Sequence, residues 1–179
     1  MRRLSLKATT SILCVACALL LAIWFLAPKT DVKAEQRMVL EQSDTLILYS
    51  LMTHNELDSY FSSLAEVNGF IKNREKFHRN YVVGKVRITD SRTKAKLVKA
   101  LYDGIESHNG FAAACFNPHH GLRATKGNRI VDVVICFECS IVYFRESNQK
   151  RGEGTSGLPK PIFDGVLNDA KVPRLPKRF

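Results

Sequence analysis

Hydrophobic positions run in three rhythms along this chain, and each predicts a different kind of element. From Ile12 to Ala27 (ILCVACALLLAIWFLA) every position is apolar, and Pro28 closes the run. Such a stretch has no polar face, which argues against a helix packed on a soluble core. With Thr9, Thr10 and Ser11 it reaches the roughly 17–20 residues needed for a tilted or thin-bilayer span. Basic residues flank it almost evenly: Arg2, Arg3 and Lys7 before, Lys29, Lys33 and Arg37 after. A short basic N-terminus ahead of a first apolar segment favours N-terminus in and domain out. Ala27 runs straight into Pro28, and the next small-residue site, Val32-Lys33-Ala34, lies well beyond the apolar end. The reading is an uncleaved single-pass membrane anchor over residues 1–28, with a cleaved signal peptide as the alternative. A linker follows over 29–43, as a stalk or the start of a helix, then one domain over 44–179 on the periplasmic or extracellular side.

The second rhythm is that of strands. TLILYSLM (45–52) and YVVGKVRI (81–88) are short, apolar and partly β-branched, with Gly84 marking a bulge. RIVDVVICFECSIVYFR (129–145) is long and rich in β-branched and aromatic residues, and reads as the central strand. Thr125-Lys126-Gly127-Asn128 carries hairpin-turn chemistry ahead of it. The third rhythm is helical. After a cap at Asp90 or Ser91, Val98, Leu101, Tyr102 and Ile105 recur at helical spacing with lysines opposite, and Asn109-Gly110 ends the segment. ELDSYFSSLAEVNGF is helical up to Asn68-Gly69, and LPKPIFDGVLNDA (158–170) predicts a short final helix. The order β, (α), β, α, β, β points to an α+β domain. It would be a small, mostly antiparallel sheet with one main helix packed on it, preceded by the N-terminal membrane-anchor helix.

Composition narrows this picture. The 179 residues, 45% hydrophobic and 25% charged, suit one globular core. The formal charge is +10, but four of the 27 basic residues, Arg2, Arg3, Lys7 and Lys29, lie beside the apolar run ahead of residue 30, leaving 23 against 17 acids, a net of +6. Without aromatic interleaving in an exported domain, nucleic acid is not an expected partner. The expected partners are the membrane, through the N-terminal helix, and a protein; the basic tail VPRLPKRF suits an anionic lipid or a partner. A literal G-x-G-x-x-G, GEGTSG at 152–157, is followed at once by Leu158-Pro159-Lys160-Pro161. Pro161 biases its predecessor away from helix, so no helix N-terminus receives a phosphate, and the stretch reads as a surface loop.

Candidate chemistry is concentrated in CFNPHHGLRATKGNRIVDVVICFEC (115–139). Cys115, His120 (or His119), Cys136 and Cys139 have the types and number of ligands of a structural Cys3His zinc site, with Glu138 a nearby carboxylate. Along a regular strand, however, Cys136 and Cys139 face opposite sides, so convergence on one ion needs a bulge at Phe137-Glu138. In an oxidising compartment thiols pair, and three exported cysteines leave one odd sulfur. A redox C-x-x-C is a second reading, although SIVYF after Cys139 reads as strand rather than the helix that lowers a thiol pKa. The third reading is plain burial, since free cysteine is among the most buried residue types.

The segments CFNPHHGLR and VDVVICFEC resemble those of an uncharacterised group of small bacterial proteins, often with a hydrophobic N-terminal segment, that carry CF-x-P-x-H-G and CFEC motifs. The match spans roughly residues 81–145, places the motif histidine on His120, and implies no activity. The functional expectation is therefore a membrane-anchored, exported binding or interaction domain rather than an enzyme, with zinc held by Cys115, His120, Cys136 and Cys139. The alternatives are a thiol-redox protein and a zinc-dependent hydrolase using Glu138.

Overall fold

Two-residue turns set the architecture. The computed structural model describes residues 32–174; the anchor expected over residues 1–28 lies outside them. Among the described residues no helix is long and apolar enough to cross a membrane. The elements are α1 (Val32–Glu41), β1 (Thr45–Met52), a 3-10 turn (His54–Glu56), α2 (Leu57–Tyr60), α3 (Leu64–Ile71), β2 (Lys76–Phe77) and β3 (Asn80–Ile88). Then come α4 (Ser91–Glu106), β4 (His120–Lys126), β5 (Arg129–Cys136), β6 (Ile141–Glu146), β7 (Gln149–Gly154) and α5 (Lys160–Asp169). One sheet holds all seven strands in the order β2-β3-β1-β4-β5-β6-β7, each pair antiparallel.

The expected α+β domain, with a small sheet and one main helix, is thus overturned: the fold is mostly β, a seven-stranded sheet with five short helices among the described residues. The strands were hidden by their turns. Mirror-image turns match the right-handed twist of a hairpin but need positive φ. Gly127 supplies it between β4 and β5 (φ 53°), as its sequence announces. Between β2 and β3 the same work falls to His78 and Arg79 (φ 47° and 74°), and between β6 and β7 to Ser147 (φ 50°). None of these is the glycine that positive φ favours. The single central strand expected over 129–145 is likewise two, broken by a turn at residues 137–140 in which Ser140 has φ 55°.

Register decides what each face of the sheet does. Opposed residues Leu48, Leu122, Val133 and Phe144 form one row, and Leu46, Ala124 and Val131 the next. All are fully buried beneath Val39 and Leu40 of α1, Leu97, Val98 and Leu101 of α4, and Phe163 and Leu167 of α5. Each large aliphatic or aromatic side chain here contributes about 1.5–3 kcal/mol by burial. Within the 29–43 stretch expected as a stalk or the start of a helix, α1 forms and sends Val39 and Leu40 into this core. In α4, Asp90 caps as expected, accepting from the Thr93 amide and hydroxyl, both at 2.7 Å. The bulge expected at Gly84 sits beside it, where the β1–β3 register shifts between Ser50 and Leu51.

The opposite face carries a row of Arg87, Ile47, Arg123, Asp132, Arg145 and Lys150, one residue from each of six strands. Arg123 clamps buried Asp132 with two bonds of 2.7 Å, and His78 adds a third contact at 2.7 Å. The stretch read as a surface loop, GEG, belongs to β7, and a Cβ on Gly154 would lie 2.2 Å from the His108 ring.

Candidate functional site

The segment leading into β4 delivers both histidines, and strand parity sends them to different places. His120 opposes Ser50 and Ile135 on the core face of the sheet. It is 2% exposed and meets Phe137 and Phe163 edge-on at 5.2 and 5.9 Å between ring centres. Its Nε2 lies 2.9 Å from Asp164 Oδ1 of α5, while Nδ1 is buried with no hydrogen-bond partner among the described residues. Burial pushes this imidazole below its usual pKa despite the opposing pull of Asp164. It is neutral near pH 7, with the proton on Nε2, donated to the carboxylate.

His119 precedes the strand and meets the 3-10 turn instead: its Nε2 is 2.7 Å from Glu56 Oε1. Glu56 is buried, and its second oxygen accepts from the Thr53 amide at 3.0 Å and the Thr53 hydroxyl at 2.7 Å. Burial alone would raise the Glu56 pKa, but the His119 and Thr53 donors outweigh it and hold the group at about 2. For His119 burial lowers the pKa, and the Glu56 hydrogen bond and charge overcome that to raise it. The pair is an ion pair wherever both are charged, with His119 Nδ1 turned toward Glu138 Oε2 at 3.9 Å.

A cavity of about 760 Å³ opens at this point. Its walls include Glu56, His119, His120, Glu138, Lys160, Asp164 and Arg174, together with all three described cysteines. Asp164 receives Lys160 Nζ at 3.1 Å and Arg174 at 2.6 Å besides His120. Against the raising effect of burial, the His120 and Arg174 hydrogen bonds hold its carboxyl well below the usual range. Glu138 is different. It is half-exposed at the crest of the β5–β6 turn, 3.6 Å from Lys160 and 3.9 Å from His119, too far for a hydrogen bond to either.

The sulfurs are arranged as a bridge and a thiol. Cys136 and Cys139 form a disulfide that closes the turn, with their Cα atoms 5.2 Å apart, and Cys115 is free and exposed. The expected zinc ligands therefore surround one cavity without forming the set proposed for zinc. The bonded sulfurs of Cys136 and Cys139 are not thiolates, and His120 Nε2 faces Asp164. Among the described residues no three His, Cys, Asp or Glu side chains converge on a point that would hold a metal ion. The turn at Phe137-Glu138 does what a bulge was required to do, but it brings the two sulfurs to each other.

Sequence reasoning did not reach Glu56, Lys160, Asp164 or Arg174. Two of the signals were present: Thr53-x-x-Glu56 is a capping-box spacing, and Lys160 and Asp164 are an i,i+4 pair on the predicted last helix. Their convergence with His119 and His120 is a long-range fact that no local pattern carries. No protein-family model, curated protein or solved structure matches the chain.

Proposed function

We propose that the protein is a membrane-anchored, exported binding domain whose ligand site is the cavity between the β5–β6 turn, the 3-10 turn and α5. One observation carries the reading. Among the described residues the other charges around the cavity are engaged at 2.6–3.1 Å, whereas half-exposed Glu138 makes no hydrogen bond and only two long ion pairs, 3.6 Å to Lys160 and 3.9 Å to His119. Lys160, which still has donors to offer, stands 3.6 Å from it, and His119 presents Nδ1 from the other side. A small molecule carrying both a cationic or hydroxyl donor and a carboxylate fits between them, its donor on Glu138 and its carboxylate on Lys160. Small amino and hydroxy acids are the ligand class. The volume suits a molecule of that size, since ligand sites run to about 300–1,000 Å³.

Calorimetric titration of the full chain in detergent with a panel of small amino and hydroxy acids tests the site. Binding of at least one, weakened about tenfold or more by both Glu138→Gln and Lys160→Met, is expected. No binding across the panel, or binding indifferent to both substitutions, refutes it. The anchor belongs to the proposal through residues 12–27 and has its own test: the protein stays with the membrane pellet after alkaline carbonate extraction, and release into the supernatant removes that part.

A further inference from the structure

We propose a second activity that goes beyond ligand binding: Cys115 is the exposed gate of a three-sulfur relay that carries the oxidising equivalents of the buried Cys136–Cys139 disulfide to small thiols. The bridge itself is buried, with Cys136 at 0% and Cys139 at 2% exposure, so a thiol arriving from solvent meets Cys115 more readily than the bridge. Cys115 is exposed, and its place is fixed by two hydrogen bonds to one residue. The Ala113 amide donates to the Cys139 carbonyl at 3.0 Å, and the Asn117 amide donates to Cys139 Sγ at 3.4 Å. Both feet of the 113–117 loop thus rest on Cys139, with Cys115 at the crest between them. All three sulfur-bearing residues line the same cavity.

The arrangement defines the direction of exchange. Cys115, as thiolate, attacks Cys139 Sγ. The Cys136–Cys139 bond breaks, and its electron pair leaves on Cys136 Sγ, which takes up a proton in place of the one Cys115 gave up. The departing sulfur is the one that accepts the Cys139 amide at 3.1 Å, a donor that stabilises a thiolate and so favours Cys136 as leaving group. The product is a Cys115–Cys139 disulfide with one sulfur at the surface. A substrate thiol then attacks Cys115 and releases Cys139 as a thiol. A second substrate thiol resolves the mixed disulfide, giving the substrate disulfide and free Cys115. Two electrons pass from two thiols to one disulfide, and a small-molecule disulfide restores the bridge by the reverse sequence.

The bridge is also a weak staple, since a closed loop of four residues removes less unfolded-state entropy than a longer one. The relay gives the third sulfur a role that a purely structural bridge does not.

The test uses the full chain in detergent in a Cys14→Ala, Cys17→Ala background, with reduced glutathione as substrate and oxidised glutathione as oxidant. With Cys136→Ser added, oxidised glutathione is expected to produce a Cys115–Cys139 disulfide, mapped by mass spectrometry after chymotryptic digestion and alkylation. Two alkylatable thiols and no such bridge overturn the geometry. With Cys115→Ser instead, reduction of the Cys136–Cys139 bridge by reduced glutathione is expected to slow about tenfold or more, and the glutathione adduct at residue 115 disappears. An unchanged reduction rate overturns the relay. Neither readout depends on ligand binding at Glu138 and Lys160.

Discussion

Replacing Glu56 by glutamine isolates the ion pair on which the cavity's back wall is built. The Glu56 carboxyl sits at about 2 in the folded chain against an ordinary 4.5. At about 1.4 kcal/mol for each tenfold change, that depression corresponds to about 3 kcal/mol of folding stability. The side chain is only 8% exposed, so solvent screening removes little of it. A carboxylate with a depressed pKa contributes fully above its ordinary value and loses its contribution as pH falls through the folded one. His119 has the opposite sign: its raised pKa stabilises fully below the ordinary 6.5, and that part is lost as pH rises through the folded value. The two windows overlap between about pH 4.5 and 6.5. Glu56→Gln is therefore expected to cost most near pH 6, about 3 kcal/mol or some 6–12 °C in melting temperature, and to cost progressively less toward pH 2. Urea unfolding of both proteins at pH 6, 4 and 2.5, followed by circular dichroism, measures this. A penalty equal at pH 2.5 and pH 6, or below about 0.5 kcal/mol at pH 6, refutes the reasoning.

Other consequences are as direct. Imidazole nitrogen-15 shifts at pH 6.5 are expected to show His119 mainly protonated and His120 mainly neutral with its proton on Nε2; a mainly protonated His120 would contradict its burial. Gly121→Ala drives a Cβ to 2.7 Å from the Phe77 ring, which is stacked on Tyr49, and should destabilise the fold by about 1–3 kcal/mol in a denaturant titration. A tolerated alanine would mean that the β2–β3 corner is free to shift. Treating the oxidised protein with EDTA is expected to leave its melting temperature unchanged, because the disulfide sulfurs offer no thiolate; a fall of several degrees would return the four-ligand zinc set to consideration.

What the sequence revealed was local. β1 was read with its observed boundaries, α4 with its cap and α5 nearly so, because alternation, helical spacing and Asp90 are all signals within a few residues. The strand count failed where a turn took positive φ without a glycine. His78-Arg79, Ser147 and Ser140 take positive φ because the sheet on either side imposes it, and no propensity announces that. The same limit hid the row of Arg87, Arg123, Arg145 and Lys150, whose members are spread over 63 residues and meet only through register. The cysteine motif was legible as a cluster. Whether it closed on a metal or on itself depended on the four-residue turn that splits the supposed central strand.

The adjacent histidines show how parity can turn one motif into two functions. Residues next to each other at the mouth of a strand cannot both face the core. Once Leu122 and Ala124 are assigned inward, His120 must follow them, and its neighbour must not. Facing inward, His120 meets Phe137 and Phe163, loses its charge to burial, and keeps one bond, to Asp164. That bond ties the start of β4 to α5, whose Lys160 then reaches toward Glu138. Facing the other way, His119 is drawn to Glu56, whose hydrogen bond and charge raise its pKa beside the cavity. The expected motif histidine is His120, yet it is His119 whose second ring nitrogen faces Glu138, at 3.9 Å. Exchanging either histidine for glutamine should separate the roles. His119→Gln is expected to change the pH dependence of ligand binding with the fold retained, whereas His120→Gln loosens α5 and weakens binding without moving the pH profile. If both substitutions shift the profile alike, the division between a charged histidine and a positioning one is wrong.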